Sequence, residues 1–426
     1  MAPLFSIVIP TRNRPALARA AIAHVLQQTF SDFELLVLEN SDRPELFEQG
    51  FDDARVKVLP SARVLPMPDN WERGLDHVSG RYVLYLSDKD LTLPYALAEL
   101  SALIAESSPA ILNYRKALLH EGFLSLQRCS QGVAPLATGP VLREWFGSVT
   151  HVANAPMIYN SAVRRAEIVS LREKYGRLFT GIAPDVSSSV LLAASVDEYL
   201  LVDRIYALSY SGAWSIGASP LLEGRRGTGS GFLSEFGEDP MERAGLVWSV
   251  PGGVAETLMA CQRLAPELLA GQRLDWKQYL EHCVEELEAR EKRGVDAEAD
   301  RRFLAEQVGK RYPLHTWLMW RAGRIRRLWW ERSGSAAPLR NATSFGGRAA
   351  RKVMRIAGRL LGRPARPHES EPPPFKPQYF PPFPVSGPEE ALAKIMKLRT
   401  ATRDGSDGEF ASSGAARTHE LSDLHV

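Results

Sequence analysis

The stretch LFSIVIPTRNRPALARAAIAHVLQQ, residues 4–28, decides the fold class of this chain. It opens with an apolar run at residues 4–9, closed by Pro10, as is typical of a strand buried on both faces of a parallel sheet. Residues 15–28 then place apolar side chains at helical spacing, with a proline at the helix entrance. A buried strand followed directly by an amphipathic helix predicts the first unit of an α/β fold.

The same alternation continues through the next hundred residues. Further strands are predicted at residues 33–38, 56–59, 82–86 and 110–114, and further helices at residues 70–78 and 93–106. This succession predicts an open, mainly parallel sheet flanked by helices. Ligands of such sheets bind at the carboxyl ends of the strands. Three polar clusters of the sequence fall there, at residues 11–14, 39–42 and 88–90.

The first turn argues against a dinucleotide site. Such a site needs G-x-G-x-x-G between the first strand and helix, and this chain has PTRNRP there. The later run GTGSG, residues 227–231, follows no predicted strand, so we expect it to be a loop.

Three stretches carry a resemblance to a known family: SIVIPTRNRP, LQQTFSDFELLVLENSD and DNWERGLDHVSGRYVLYLSDKD. In order and spacing they resemble the family 2-like inverting glycosyltransferases with a GT-A fold, most strongly over residues 6–100 and more weakly to about residue 212. The resemblance implies transfer of a single sugar, with inversion, from a nucleotide diphosphate donor to a hydroxyl of a glycan or lipid-linked acceptor. It also implies a role in bacterial cell-surface polysaccharide biosynthesis. The alternative is a catalytically inactive GT-A-like protein that binds nucleotide sugars or acts as a scaffold.

The resemblance also implies a set of residues that bind the nucleotide sugar. They follow the first, second and fourth strands, except for Asn70, which begins the helix before the fourth strand: Pro10, Thr11, Arg12, Asn13, Glu39, Asn40, Asn70, Asp88 and Lys89. The family often has aspartates where Glu39 and Asn40 stand. The Asn40 amide can still pair with a uracil edge, although it carries no charge. Turn formation and helix capping are the structural alternatives for Thr11 and Asn40.

Asp88 and Asp90 are the candidate metal ligands. Two carboxylates at positions i and i+2 lie on one side of an extended chain, where they can share Mg²⁺ or Mn²⁺. Such an ion would stabilise the departing diphosphate. By resemblance, however, the family's metal-binding aspartate falls on Lys89. Either the flanking aspartates hold the metal, or the Lys89 ammonium supplies part of the positive charge itself.

Asp185 is the candidate catalytic base, since the family places an acidic pair before a helix under the acceptor site and only this aspartate remains of it here. Its structural alternative is a helix N-cap, and His151 is the reserve candidate. The processive enzymes of the family carry Q-x-x-R-W. The corresponding run QRLDW, residues 272–276, has aspartate in place of the arginine, so single addition is preferred.

The rest of the chain divides by composition. After residues 1–215, we expect a loop and helical accessory region over residues 216–310, including a mobile Gly/Ser-rich lid over the acceptor. Residues 311–366, in which Glu331 is the only acid, predict basic amphipathic helices that bind an anionic membrane surface. Helix packing with extended arginines is the alternative, and no nucleic-acid-binding fold is recognisable. A Pro-rich disordered tail is predicted over residues 367–426.

Charge, cysteine content and hydropathy together predict where in the cell the protein is located. The net charge is only +2, and the three cysteines, Cys129, Cys261 and Cys283, show no pairing or metal-binding spacing. The N-terminal apolar run is too short for a signal sequence, and no apolar run approaches the roughly 20 residues of a membrane span. These features predict a cytoplasmic protein, peripheral at most to the inner face of a membrane.

Overall fold

The structure, a computed structural model, describes residues 2–120, 122–211, 215–217, 219–224, 228–311, 379–380 and 382–403. Its strands are β1 Phe5–Thr11, β2 Phe33–Glu39, β3 Val56–Pro60, β4 Tyr82–Tyr85, β5 Asp90–Thr92, β6 Ile111–His120, β7 Phe123–Ser125, β8 Val133–Ala137, β9 Ser161–Arg164, β10 Glu198–Ser211 and β11 Phe383–Pro384.

The helices alternate with these strands at first and then dominate the chain. They are α1 Pro15–Leu26, α2 Glu45–Gln49, α3 Met67–Gly74, α4 Ala96–Ser107, α5 Thr138–Ser148, α6 Arg165–Tyr175, α7 Pro184–Ser195, α8 Ser219–Glu223, α9 Thr228–Ser234, α10 Pro240–Ala244, α11 Val250–Leu264, α12 Trp276–Lys292, α13 Glu298–Arg311 and α14 Pro388–Arg403.

The N-terminal half of the sheet is parallel, in the order β3-β2-β1-β4. All seven residues of β1 are buried, as the continuous apolar run predicts for a strand covered on both faces. Gly80 precedes β4 at a point where a Cβ atom would lie 2.5 Å from the Ser6 backbone nitrogen, so only glycine lets these segments approach closely. The parallel register brings the ends of β1, β2 and β4 to one edge of the sheet.

The other half of the sheet mixes strand directions. Strand β9 is antiparallel to both β4 and β6, while the long strand β10 runs parallel to β6 and antiparallel to β5 and β8. The predicted class, a GT-A type open sheet that is mainly parallel and flanked by helices, is confirmed. The helical region that follows is confirmed too, by helices α8 to α13 after β10.

Element boundaries differ from the predictions mainly at turns. The helix predicted at residues 70–78 is Met67–Gly74, since Pro68 lies in its first turn and suits a helix start. The strand predicted at residues 110–114 continues to His120, because β10 pairs with it along its whole length. The glycine-rich run expected to be a loop lies largely in α9, so that expectation is wrong for residues 228–231.

Part of the tail that the sequence predicts to be largely disordered is ordered in the structure. Strand β11 pairs with β7, and α14 contributes Ile395 and Leu398 to a hydrophobic cluster that also includes Leu119 and Leu208. Phe380 and Phe383 belong to the same cluster. Prolines dominated the composition of this segment, but its spaced apolar side chains bury enough surface to order it. The remainder of the predicted tail lies outside the described residues.

The chain divides into two compact units, one formed by Met1–Arg301 with Pro374–Val426 and the other by Arg302–Pro373. The basic helices predicted over residues 311–366 lie outside the described residues, apart from Arg311 at the end of α13. Within the described part of the chain, none of the helices has the length and hydropathy required to cross a membrane.

Candidate active site

A cleft of about 700 Å³ opens at the carboxyl ends of β1, β2 and β4. Its lining includes eight of the nine residues predicted to bind a nucleotide sugar, together with the predicted base. These residues are Pro10, Thr11, Arg12, Asn13, Asn40, Asn70, Asp88, Lys89 and Asp185. Glu39 and Asp90 are not among the lining residues. The strand-end clusters therefore converge on one cavity, as expected for parallel strands that end at the same edge.

Asp88 lies at the centre of the strand-end side of the cleft. Its Oδ2 atom accepts a hydrogen bond of 2.9 Å from the Thr11 hydroxyl, and its Oδ1 atom lies 3.4 Å from the Arg14 guanidinium. Burial raises the pKa of the Asp88 carboxyl, while Arg14 and the Thr11 hydrogen bond act in the opposite direction. Arg14 belongs to a polar cluster of the sequence, but no motif predicts its role at the site.

Lys89 extends along the same side of the cleft. Its Nζ atom donates a hydrogen bond of 2.7 Å to the hydroxyl of Ser215, which follows β10. Burial lowers the pKa of the Lys89 ammonium, and the nearby Asp90 and Asp88 carboxylates partly offset this effect. The cleft thus holds a partly desolvated cation beside Asp88, where its attraction for an anion is stronger than in bulk water.

The turn after β1 is held to the turn after β2. Asn13 adopts a left-handed backbone with a φ of 54°, and its side chain exchanges hydrogen bonds with Asp42. Its backbone nitrogen donates to the Ser41 hydroxyl at 2.9 Å. Arg12, next to it, forms an ion pair with Glu235 beyond the end of α9. The first polar cluster is therefore fixed from two sides.

Asn40 and Glu39 have structural contacts that the sequence did not reveal. The Asn40 amide donates to the Leu65 carbonyl at 2.8 Å, and its oxygen accepts from Ser61 and from the Leu65 nitrogen. The Glu39 carboxylate accepts hydrogen bonds from two backbone nitrogens in the first turn of α2. Negative charge is favourable at that end of a helix. Both side chains stabilise loops around the cleft, and these contacts compete with the predicted pairing of Asn40 with a base.

Asn70 and its neighbour Trp71 place α3 against the cleft. The Asn70 side-chain oxygen accepts a hydrogen bond of 2.9 Å from Arg73, one turn further along α3. Trp71 stacks on Tyr85 with the ring centroids 5.4 Å apart, and the Tyr85 hydroxyl donates to the Trp71 carbonyl. Asn70 lines the cleft on a helix that is packed on β4 through the contacts of Trp71 with Tyr85, and its role in binding the nucleotide sugar stays a prediction.

Asp90 does not join Asp88 in a metal site. Its Oδ2 atom accepts from the Ser87 nitrogen and pairs with Lys116 at 3.0 Å, while its Oδ1 atom has no hydrogen-bond partner. The described residues contain no group of three or more acidic, histidine or cysteine side chains that could hold a metal ion. Lys116 forms an ion pair with Asp90, and the cations Arg14 and Lys89 flank Asp88. The residues therefore do not fit a divalent ion shared by Asp88 and Asp90.

Asp185 also lines the cleft, in the first turn of α7. Ala183 is the N-cap of that helix, so the expected alternative role of Asp185 as N-cap is wrong. Burial raises the pKa of the Asp185 carboxyl, and His151, which also lines the cleft, partly offsets this effect. A carboxylate whose pKa is raised by burial binds a proton more tightly than one in water, which favours its use as a general base.

Comparison with known proteins identifies the part of the chain that carries the strand-end cluster. Residues 6–160 match the family model described as Glycosyl transferase family 2. This segment is a family 2-like glycosyltransferase domain. The resemblance derived from the three sequence stretches is thereby confirmed.

Curated relatives agree with the family match over short stretches. The chain is 35% identical over 103 residues to GalNAc(5)-diNAcBac-PP-undecaprenol beta-1,3-glucosyltransferase of Campylobacter jejuni, a match that covers 23% of this chain and 33% of the relative. It is 30% identical over 120 residues to the PGL/p-HBAD biosynthesis glycosyltransferase of Mycobacterium tuberculosis, covering 26% of this chain and 46% of the relative. The matches thus span less than half the length of these relatives.

Solved structures include a more distant likeness. Staphylococcus aureus TarS 1-349, in complex with UDP-GlcNAc, aligns with 68% of this chain and 81% of that chain at 13% identity, with a TM-score of 0.40. The assignment of the family 2 domain therefore rests on the family match and on the topology of the sheet.

The wall opposite the strand ends comes largely from outside the family 2 match. Ile182 lies between α6 and α7, Phe232 lies on α9, and Trp248, Val250 and Val254 lie at or within the start of α11. The Gly/Ser-rich composition of this region predicts a lid over the acceptor but does not reveal the apolar lining. No motif marks these residues, because they come from separate helices that only the fold brings together.

Proposed function

We propose that the protein transfers a single sugar from a nucleotide diphosphate donor to a hydroxyl of a glycan or lipid-linked acceptor, with inversion at the anomeric carbon. One observation carries the proposal. The strand ends of the family 2 domain and Asp185 line the same cleft, so the candidate donor-binding residues and the candidate base share one cavity. The Campylobacter jejuni relative, named as a glucosyltransferase of an undecaprenol-linked glycan, supports this reaction class.

The donor is proposed to lie along the strand ends. Its diphosphate would meet the cations Arg14 and Lys89, which flank Asp88, while Thr11, Asn13 and Asn70 are the candidates to bind the nucleoside. Positive charge fixed in a partly buried site stabilises the negative charge that develops on a leaving diphosphate. In this proposal the chain's own cations supply that charge, which is the second of the two alternatives raised by the sequence.

Asp185 is proposed as the base for transfer. The acceptor hydroxyl oxygen attacks the anomeric carbon, the bond from that carbon to the donor phosphate oxygen breaks, and the hydroxyl proton moves to the Asp185 carboxylate. The nucleoside diphosphate leaves with the electron pair of the broken bond. Attack from the face opposite the leaving group inverts the anomeric configuration, as one direct displacement requires.

A nucleotide binding screen is the first test. We expect UDP, GDP or dTDP to raise the thermal unfolding temperature of the full chain, because a ligand at a hundred times its dissociation constant adds about 2.7 kcal/mol of stability. Donor hydrolysis or transfer, and the anomeric configuration of the product by NMR, then test the reaction. Binding without hydrolysis or transfer would favour the inactive nucleotide-sugar-binding scaffold instead, and no binding by any nucleotide would reject both.

Association with the inner face of an anionic membrane is proposed from sequence alone. Each basic residue near such a surface contributes about 1 kcal/mol. Replacement of Arg321, Arg324 and Arg327 by glutamine in the full chain should therefore reduce sedimentation with phosphatidylglycerol vesicles at low salt. Truncation before residue 311 is unsuitable as a test, because it removes β11 and α14 from the hydrophobic core. Equal sedimentation of the triple variant and the unchanged protein would reject membrane binding through this cluster.

A further inference from the structure

The apolar wall of the cleft is a preformed surface. The Trp248 indole nitrogen donates to the Gly224 carbonyl at 2.9 Å, which fixes the ring, and Phe232 packs beside it with the ring centroids 6.3 Å apart. At Gly229 a Cβ atom would lie 2.7 Å from the Trp248 indole nitrogen, so α9 approaches the ring as closely as a glycine allows. Such packing holds the wall in place before any ligand arrives.

Charge is distributed unevenly around the cleft. Among the described residues that line it, the arginine and lysine side chains are Arg12, Arg14 and Lys89, all at the strand ends. The Asp185 carboxylate also lines the cleft, as does that of Glu235, which is ion-paired with Arg12. A second phosphate group bound along the apolar wall would therefore meet no described arginine or lysine except Arg12, which Glu235 already engages, and would share the cleft with the Asp185 carboxylate, which is unfavourable in a partly desolvated site.

We propose that the acceptor carries an uncharged apolar group next to its attacking hydroxyl, and that Phe232, Trp248, Val250 and Val254 bind this group. The inference rests on the proposed function and narrows its acceptor class. The apolar group is attached to the acceptor sugar or alcohol without an intervening diphosphate. The wall is continuous with the strand-end site, so the bound group would hold the hydroxyl between the donor and Asp185.

The test uses full-length protein saturated with UDP and two probes that share one sugar, methyl β-D-glucopyranoside and n-octyl β-D-glucopyranoside below its micellar concentration. By calorimetry we expect the octyl glycoside to bind roughly tenfold more tightly or better, because its methylenes leave water for an apolar surface. The heat capacity change on binding should be more negative for the octyl glycoside. Octyl phosphate, which has the same chain and a charged head, should bind more weakly than the octyl glycoside.

Two matched variants locate the binding surface. Val250 is half-buried on the wall, and its backbone nitrogen donates to Glu286 at 2.8 Å, a contact that the change Val250→Asn retains. This variant should weaken octyl glycoside binding about fivefold, which corresponds to part of the gain expected for burying a valine. Val169→Asn makes the same change at an exposed position of α6 and should leave binding unchanged.

The outcomes separate this inference from the function on which it rests. UDP titrations of the same samples come first, and failure to bind UDP counts against the proposed function. If UDP binds but the methyl and octyl glycosides bind equally, the apolar acceptor is rejected and the proposed function stands. Equal octyl glycoside affinity of the two valine variants would also overturn the assignment of the binding surface to this wall. Tighter binding of octyl phosphate than of the octyl glycoside would overturn the inference that the acceptor group is uncharged.

Discussion

The two sides of the cleft were built in different ways. The strand-end side is polar, comes from residues 10–89 of the family 2 domain, and forms because parallel strands end together. The opposite wall is largely apolar and comes mostly from helices that follow β10, with Asp185 at its margin. Chemistry common to a fold is thus carried by the strand ends, while the features that distinguish one substrate from another are carried by added helices and loops.

Replacing Asp185 tests its proposed role as the base, at the margin of the apolar wall. Asp185→Asn should lower kcat for transfer by about 10²- to 10⁴-fold, since it removes the proton acceptor, and should leave UDP affinity unchanged. Steady-state transfer and UDP titration check the two expectations. If the variant transfers sugar at the normal rate, another residue acts as the base, and His151 is the next candidate.

The same variant has an expected effect on stability. Burial raises the folded-state pKa of Asp185 above its unfolded value, so its contribution to stability is fully present below the unfolded pKa and is lost as pH rises through the folded pKa. At pH 7 the buried carboxylate is therefore unfavourable. Asp185→Asn should unfold at the same or a higher temperature than the unchanged protein at pH 7, and this advantage should shrink towards pH 4.

Lys89 tests whether the polar side supplies its own positive charge. Lys89→Ala should weaken UDP binding roughly tenfold, because a hydrogen bond to a charged group contributes about 1.5 to 3 kcal/mol. A chelator should have little effect on the unchanged protein. Lys277→Ala, at an exposed position of α12, is the control. Loss of UDP binding on chelation, together with a tolerated Lys89→Ala, would restore the metal alternative.

Replacing Asn40 tests whether this side chain binds the nucleotide or stabilises the loop beside the nucleotide site. Asn40→Ala removes three hydrogen bonds to Ser61 and Leu65, so the free energy of unfolding should fall by about 1 to 3 kcal/mol. The UDP affinity of the folded variant should change little. Ser61→Ala removes one of these contacts and should cost about 1 kcal/mol. Chemical denaturation measures both losses, and a weaker UDP complex with unchanged stability would support pairing of Asn40 with the base.

Glu235 tests the one ion pair described between Arg12 and the region of α9. Glu235→Gln should strengthen UDP binding by a few-fold at low salt, because exposed or partly exposed ion pairs contribute about 0.2 to 1 kcal/mol and Arg12 would become available to the diphosphate. The gain should disappear at high salt. Glu238→Gln, nearby and exposed, should have no such effect. An unchanged or weaker UDP complex in Glu235→Gln would indicate that Arg12 does not compete for the donor.

The sequence by itself determined the α/β class, most of the first elements and the polar strand ends. These features depend on local periodicity, which buried parallel strands and amphipathic helices impose within short windows. The tertiary structure decided which member of the Asp88 and Asp90 pair faces the cleft, because Lys116 engages Asp90 from a different strand. It also decided the contact between Lys89 and Ser215, which lie 126 residues apart.

The apolar wall and the ordered part of the tail likewise depended on the folded chain. Phe232, Trp248 and Val254 show no common spacing, and they meet only because α9 and α11 pack beside one cavity. Phe383 and Ile395 lie in a Pro-rich and charged context that predicted disorder, yet the sheet offers them an apolar surface to cover. A residue's own neighbours along the chain determine its local conformation, whereas its partners across the fold determine whether its charge or apolar surface reaches the site.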